Sequence, residues 1–554
     1  MTKETMTGPV NGEVGRGYDK FMRVATLTVN GAATSYSYDN DGLLIGAGDI
    51  TLTRDPQTGF LTGTALAAIT DAYTYSTFGE TSNYTAKVGG AVLFNVQYTR
   101  DAIGRIATKT ETIGGATTVY EYGYDLSGRL VSVKENGVTV STYDYDANGN
   151  RITAVTKAGT FQGFYDLQDR MTKYGDADYT YTANGELLTK VEPSGTTAYN
   201  YDVFSNLRSA TLPNGTQIDY VIDANNRRIG KKVNGALVQG FVYLNFLNLI
   251  AELDGAGNVV SRFVHGHKDG APAYIIKGGN TYRVIADHLS GPRLVIDTAT
   301  GAVVQRIDYD EYGNVLSDTN PGFIPFGFGA GMYDQDTKLL RFGARDYDSY
   351  AGRWTAKDPA GFNYGEFNVY VYVGSDPVNI VDPSGLNKSW GYQVNDPQEC
   401  CNKPIRDQID KECDRVDTLP DVLGDSVHGT TQVKCLKIRC QEGIISCTRN
   451  HGGGCEWAGG HAHTGGKKSA TICSGHARMG NVGRIAIHEW SHVCGWPGFE
   501  DPSGDHNTFY AMAQHLANNP GASGVKSHND APWNSKGVPK GEPICPSCTR
   551  PDLH

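Results

Sequence analysis

The sequence predicts an all-β region of stacked hairpin repeats running to residue 386, followed by a small, cysteine-rich α+β domain. Three observations carry that division. Tyrosine-containing fragments of nearly one pattern recur at short intervals in the first part; all 11 cysteines lie after residue 386, from Cys400 to Cys548; and 30 of the 32 tyrosines lie before it. At 554 residues the chain also exceeds what one hydrophobic core holds, so at least two domains are expected.

The first element is the repeat. Fragments such as "YGYDLSGRLVSV", "YDYDANGNRITAV", "YTYTANGELLTKV" and "YNYDVFSNLRSA" alternate aromatic with polar residues, turn around Gly or Asn, then alternate apolar residues. That pattern is strand, tight turn, strand. With Tyr98, Tyr124, Tyr145, Tyr165, Tyr181, Tyr201 and Tyr220 as markers the steps are 26, 21, 20, 16, 20 and 19 residues, about one β-hairpin each. A single hairpin cannot bury its apolar face in water, so successive hairpins are expected to stack into one continuous twisted sheet. An ordinary β-sandwich is the alternative, and the regular spacing favours the repeat.

The next element is more specific. Residues 286–316, "ADHLSGPRLVIDTATGAVVQRIDYDEYGNVL", then "FGFGAGMYDQDTKLLRFGARDYDSYAGRWTAKDPAGF" and "NVYVYVGSDPVNIVDPSGL", which ends at Leu386, resemble the repeat-associated core of the Rhs/YD-repeat family, the polymorphic toxins of bacteria. The resemblance covers residues 30–386. It implies an all-β YD-repeat shell, a sheet wound into a hollow container around a C-terminal toxin. The implied divisions are repeats over 1–285, core with self-cleavage motif over 286–386, and toxin over 387–554. Family shells are built from longer repeat regions, so 386 residues are expected to form part of a closed container.

Just before the composition changes, "DPAG" begins at Asp358 and "DPSG" at Asp382. Each alone reads as a type I turn, with Asp first, Pro second and Gly fourth. The resemblance adds a second role, because Rhs proteins cut themselves just after the second motif; carried over, the bond is Leu386–Asn387. Two carboxylates brought close do not both ionise easily, so one holds a proton to donate while the other activates water. Asp358 and Asp382 are the natural pair. Arg353 and Asp376 are polar neighbours in sequence without an assigned role.

The last element contains "NVGRIAIHEWSHVC", residues 481–494. Residues four apart share a helix face, so His488 and His492 can present ring nitrogens to one metal ion, with Glu489 one position round to take a proton from metal-bound water. Ile485, Ala486 and Ile487 suit a buried helix that Gly495 and Pro497 end. A helix whose histidines serve packing, or a structural zinc site using cysteine, are the bland alternatives.

A catalytic Zn2+ needs a third protein ligand. Gly498 stands where HExxHxxGxxH has its last histidine. Phe509, Met512, Ala513, Leu516 and Ala517 recur at helical spacing, and extending that face backwards reaches His506 and Asp505. Asp505 has an alternative as helix N-cap. The order is loosely similar to the deuterolysin-like aspzincins, whose third ligand is aspartate, although their glycine-threonine signature is missing; Glu500 and Asp501 are outside candidates. A zincin-like fold is therefore expected for this domain. Tyr510 or a loop histidine would steady the oxyanion, the sequence not choosing between them. His461 and His463 sit in a glycine-rich stretch read as surface loop or cleft rim. Cys545 and Cys548 read as a disulfide or end-staple, Cys473 and Cys494 as staples flanking the helix, and the adjacent Cys400 and Cys401 as pairing with different partners, with connectivity open.

Charge and leader content narrow the class. The net charge is −11, and 17 basic against 18 acidic residues follow residue 386, so neither part offers a basic face and nucleic acid is not an expected partner. The N-terminus "MTKETMTGPV" has no apolar core of signal-peptide length and no run of 18 apolar residues exists, so neither a membrane span nor a cleaved leader is expected. Eleven cysteines suit an oxidising compartment reached by another route. Together these features give a self-cleaving toxin carrier whose cargo is a zinc-dependent endopeptidase acting on protein or peptide, used in interbacterial competition. Resemblance alone implies type VI-like delivery into target cells and a cognate immunity protein. The rivals are a nuclease or other hydrolase cargo, against which the near-neutral C-terminal charge speaks, and a non-enzymatic surface or structural YD-repeat protein.

Overall fold

The structure, a computed structural model, describes residues 2–266, 270–359, 361 and 368–386, together with the backbone of 393–395, 444–448, 460–462 and 469–473. The alternating sequence becomes thirty-one strands, from β1 (Thr2–Met6) to β31 (Val315–Asp318), each paired antiparallel with the next. Among the described residues there is no α-helix, only two 3₁₀ turns at Phe328–Ala330 and Val373–Ser375.

Two kinds of turn join the strands. The short kind has two residues; where these are Asn-Gly both are left-handed, as at Asn136 (φ 49°) and Gly137 (φ 81°), the hairpin geometry whose twist matches that of the strands. Its asparagine also extends the sheet: Asn30, Asn136 and Asn234 accept the amides of Glu13, Val119 and Gln217 through Oδ1, at 2.7, 2.9 and 2.9 Å.

The long kind explains the pairing of Tyr with Asp. In the turn at Asp125, the amides of Ser127 and Arg129 donate to Oδ1 at 2.9 Å, Arg129 Nε donates to Oδ2 at 2.7 Å, and Gly128 N donates to the Asp125 carbonyl at 3.0 Å. The same carboxylate-to-arginine closure recurs at Asp19, Asp101, Asp166 and Asp223. The preceding tyrosine ends its strand and ties one repeat to the one before. Tyr124, Tyr145 and Tyr165 donate their hydroxyls to the carbonyls of Ile106, Leu130 and Arg151 at 2.9, 2.7 and 2.9 Å. The guanidinium groups of Arg105 and Arg129 lie over the rings of Tyr124 and Tyr145, 4.4 and 4.9 Å from the centroids. Tyr98 and Tyr220 differ from the other markers: they lie inside their strands, and Arg100 and Ile222 occupy the place before Asp101 and Asp223. Counted from Arg100 and Ile222, the end steps become 24 and 21 residues in place of 26 and 19.

The meander coils so that its first strands lie against its last. Val14, Leu27 and Val29 share a core with Phe241, Val242 and Leu249, and Ile50 and Leu52 share another with Val264 and Tyr274. Buried ion pairs cross the same seam, Arg283 to Asp71 at 2.6 Å and Arg293 to Glu111 at 2.6 Å. The walls of the expected shell thus touch along these contacts. Strands from the middle of the meander are covered by the segment that follows β31, which contains a small antiparallel sheet of β32 (Met332–Tyr333), β33 (Leu340–Phe342), β34 (Arg345–Asp348) and β35 (Arg353–Trp354). Its anchors are Arg228 to Asp346 at 2.8 Å, Lys231 to Asp334 at 2.8 Å, and the Tyr370 hydroxyl to the Gly185 carbonyl at 2.8 Å.

Beyond residue 386 the four short backbone stretches pair as a separate small sheet in which Ile444–Thr448 runs parallel to both Gln393–Asn395 and Ser469–Cys473, with Gly460–Ala462 antiparallel to the last. His461 accordingly lies on a strand, where a loop was expected.

Candidate cleavage site

The residues 24 positions apart in sequence, Asp358 and Asp382, converge on one side chain. Arg345, at the start of β34, places Nη2 2.8 Å from Asp358 Oδ2 and 3.1 Å from Asp382 Oδ2, so the two carboxylate oxygens lie within about 6 Å of each other. Arg345 is 3% exposed and Asp382 2%, and Asp358 is slightly more open. A planar guanidinium suits the role because its fork reaches several acceptors at once. Its third contact decides where the site points: Nε donates to the carbonyl of Gly385, next to Leu386.

Local sequence builds this geometry. The hairpin from Phe342 to Arg345 turns through Gly343 (φ 39°), which brings β34 back along β33. The face of Trp354 carries the guanidinium at 4.0 Å, and Trp354 packs edge-to-face in a buried cluster with Phe342, Tyr347 and Tyr372. Burial, together with the charge of Asp382, pushes the Tyr372 phenol well above its ordinary range, so it stays protonated.

Both DP motifs are also the turns their sequence suggests. Gly361 N donates to the Asp358 carbonyl at 2.9 Å, while Asp382 Oδ1 accepts from Gly385 N at 2.8 Å and from Ser384 Oγ at 2.9 Å. Leu386 N donates to Ser384 Oγ at 3.2 Å. The turn and the convergence coexist, because the Oδ1 edge of Asp382 closes its turn and its Oδ2 edge faces Arg345.

Arg353 and Asp376 take other positions. Arg353 donates to Asn150 Oδ1 at 2.9 Å and lies over the Tyr165 ring, anchoring the segment on the meander. Asp376 accepts from Asn379 Nδ2 at 2.8 and 3.0 Å, and Asn379 Oδ1 accepts the Ile106 amide at 2.8 Å. Sequence reasoning missed Arg345 and Gly343. An arginine on a short strand reads as a solvated charge, and only the proximity of two carboxylates from later turns gives it meaning.

Asn387, the metal candidates His488, His492, His506 and Asp505, and the base candidate Glu489 lie outside the described residues. Among the described residues no group of three or more His, Cys, Asp or Glu is placed to hold a metal ion, and no helix is long and apolar enough to cross a membrane.

The family model described as Teneurin YD-shell matches residues 1–378. The chain belongs to the Teneurin YD-shell family. Among curated relatives it is 26% identical to Teneurin-4 of Homo sapiens over 382 residues, covering 64% of this chain and 13% of that protein. It is 30% identical to Teneurin-1 of Gallus gallus over 304 residues, covering 52% and 11%. Among solved structures it resembles the Photorhabdus luminescens Tc holotoxin pore (TM-score 0.57, 17% identity, 68% of this chain and 21% of that chain) and the crystal structure of TcdB2-TccC3-TEV (TM-score 0.53, 17% identity, 68% and 22%). At these identities the structural likeness establishes the shell fold alone. The chain spans about a fifth of those structures and about an eighth of the teneurins, and the family match ends four residues before Asp382.

Proposed function

We propose that this YD shell carries the segment after residue 386 as cargo and frees it by hydrolysing the Leu386–Asn387 bond, with Asp358 and Asp382 as the acid–base pair. The observation that supports this reading is the convergence of both aspartates on Arg345, whose Nε holds the carbonyl next to Leu386. One carboxyl gives a proton to the leaving amine and the other takes one from water. Purified full-length chain should yield a fragment beginning at Asn387, and Asp358→Asn should leave one species of 59.8 kDa. A wild-type chain found only at full mass refutes self-cleavage.

For the cargo, the sequence supports a zinc peptidase, in which His488 and His492, with His506 or Asp505, would hold the ion and Glu489 would move the proton. Bound zinc would supply Lewis acidity at the scissile carbonyl. A bacterial toxin delivered to competitors, with type VI-like export and an immunity protein, is the biological setting that the Rhs resemblance favours. Metal content of purified residues 387–554, and loss of toxicity in Glu489→Ala, test this part separately; toxicity that survives the substitution refutes it.

A further inference from the structure

The large apolar side chains most open to solvent among the described residues share one kind of position. Leu126, Leu167, Val203 and Phe204 are each 70% exposed or more, and all sit at the tips of long turns. Long and short turns alternate along the antiparallel meander, so the long turns 125–129, 146–150, 166–170, 182–186, 202–206 and 223–227 line one edge of the sheet. In each, the second residue projects beyond the hydrogen bonds that close the turn, where a polar side chain is equally compatible with the fold. It is apolar and exposed in all six: Leu126, Ala147, Leu167, Ala183, Val203 and Ala224. Single exposed apolar residues are ordinary on a protein surface, whereas a regular row of them marks a contact surface.

Size alternates along the row. Tips two strands apart recur at ~9.6 Å, so large ones recur at ~19 Å with an alanine midway. An even row of alternating large and small is its own complement when reversed. A second copy set edge to edge about a two-fold axis midway between Leu167 and Ala183 pairs Leu167 with Ala183, Ala147 with Val203 and Leu126 with Ala224, each pair twice. The row is also rigid. Arg129 Nη1 donates to the Asp146 carbonyl at 2.9 Å, Asn150 Nδ2 to Asp169 Oδ1 at 2.7 Å, Ser205 Oγ to Glu186 Oε1 at 2.8 Å, and Asn206 Nδ2 to Asn226 Oδ1 at 3.1 Å, so neighbouring turns are held in register before a partner arrives, which lowers the ordering cost of binding. Four of the six turns hold their aspartate against an arginine, so this edge carries little of the charge that would repel a like edge. Six tips span ~48 Å, and a strip of that length one sheet thick, ~10 Å, covers roughly 500 Å² per copy and roughly 1,000 Å² in all, the size of a weak, reversible complex.

We infer that this edge is the interface of a reversible two-fold dimer, in which a second copy of this chain docks its large tips against the small ones. The inference is independent of the self-cleavage reading. Sedimentation equilibrium of the full chain at micromolar concentrations should show a monomer–dimer equilibrium whose limiting mass is twice that of the purified chain. Leu167→Ala leaves alanine facing alanine, and Ala183→Leu leaves leucine facing leucine. Each should weaken the dimer at least ~10-fold, because the lost burial or the clash occurs twice, while thermal unfolding of the single chain stays unchanged, both positions being exposed turn tips. The double variant exchanges large for small across the axis and should restore the wild-type dimer. A single-chain mass throughout, a dimer indifferent to both substitutions, or single defects that the double variant does not repair would overturn the inference. A chain of single mass that floats with phosphatidylcholine vesicles, and ceases to do so in Leu126→Ser, would overturn it in favour of a lipid surface.

Discussion

Arg345 concentrates the consequences of a single side chain. It is buried, it touches two carboxylates and the main-chain carbonyls of Gly385 and Val369, and its cationic face rests on Trp354. Arg345→Met keeps much of the volume but leaves two carboxylates without their counter-charge. Breaking a buried ion pair in this way costs about 3–5 kcal/mol, so the melting temperature should fall sharply and the Asn387 fragment should be absent. Arg345→Lys separates charge from geometry, since one ammonium restores the charge without the fork that spans two carboxylates and two carbonyls. It should recover a large part of the stability and little of the cutting. Thermal unfolding and mass analysis of the two variants together decide whether charge or geometry matters at this position.

At the scale of the element, the repeat was legible and its chemistry was not. Alternation and spacing announce hairpins, and the structure has them over 31 strands. The sequence could not tell that the aspartate is a ring-closing acceptor, because the pattern around Asp125 is equally that of a generic turn. Nor could it show that Met22, Asp169 and Asn226 stand left-handed where other turns place glycine, at φ 64°, 58° and 60°. For the site, the two aspartates were legible as motifs, while the partner that joins them was not, since Arg345 meets them only through tertiary packing. The turn makes its own prediction. Asp125→Ala removes two amide bonds and a charged bond to Arg129, of which the latter is partly exposed and screened. The loss should be about 2 kcal/mol, read as an earlier urea midpoint. Tyr145→Phe, which removes the hydroxyl's bonds to the Leu130 carbonyl and to the Tyr312 hydroxyl, should lose about 2 kcal/mol.

The whole molecule is held by contacts between residues far apart in sequence, and one of them weakens as pH falls below the ordinary histidine range. His288 bridges the meander and the terminal segment, with Nδ1 3.3 Å from the Tyr98 hydroxyl and Nε2 2.7 Å from the Val378 carbonyl. Desolvation by burial depresses its pKa from 6.5 to about 4, opposed by the charge of Asp287 and reinforced by Lys109 and Arg100. Between those values the unfolded chain binds a proton that the folded chain excludes, so stability is fully present above pH 6.5 and is lost as pH falls, by about 3 kcal/mol near pH 4. The carboxylate of one turn acts lower. Asp166 is desolvated, yet its bonds to Arg170 and to the amides of Gln168 and Arg170 hold it below the ordinary carboxylate range. Its contribution is therefore present above about pH 4 and disappears only beneath it. The buried Glu311 carboxyl, which desolvation raises to about 7, works in the opposite sense over the same range, since there the folded chain takes up a proton that the unfolded chain does not. The contribution of His288 is therefore read as a difference: between pH 7 and pH 4.5 the wild-type chain should lose stability relative to His288→Gln, because glutamine cannot take up a proton there. If the difference between the two chains does not change with pH, His288 is only a packing residue at this seam.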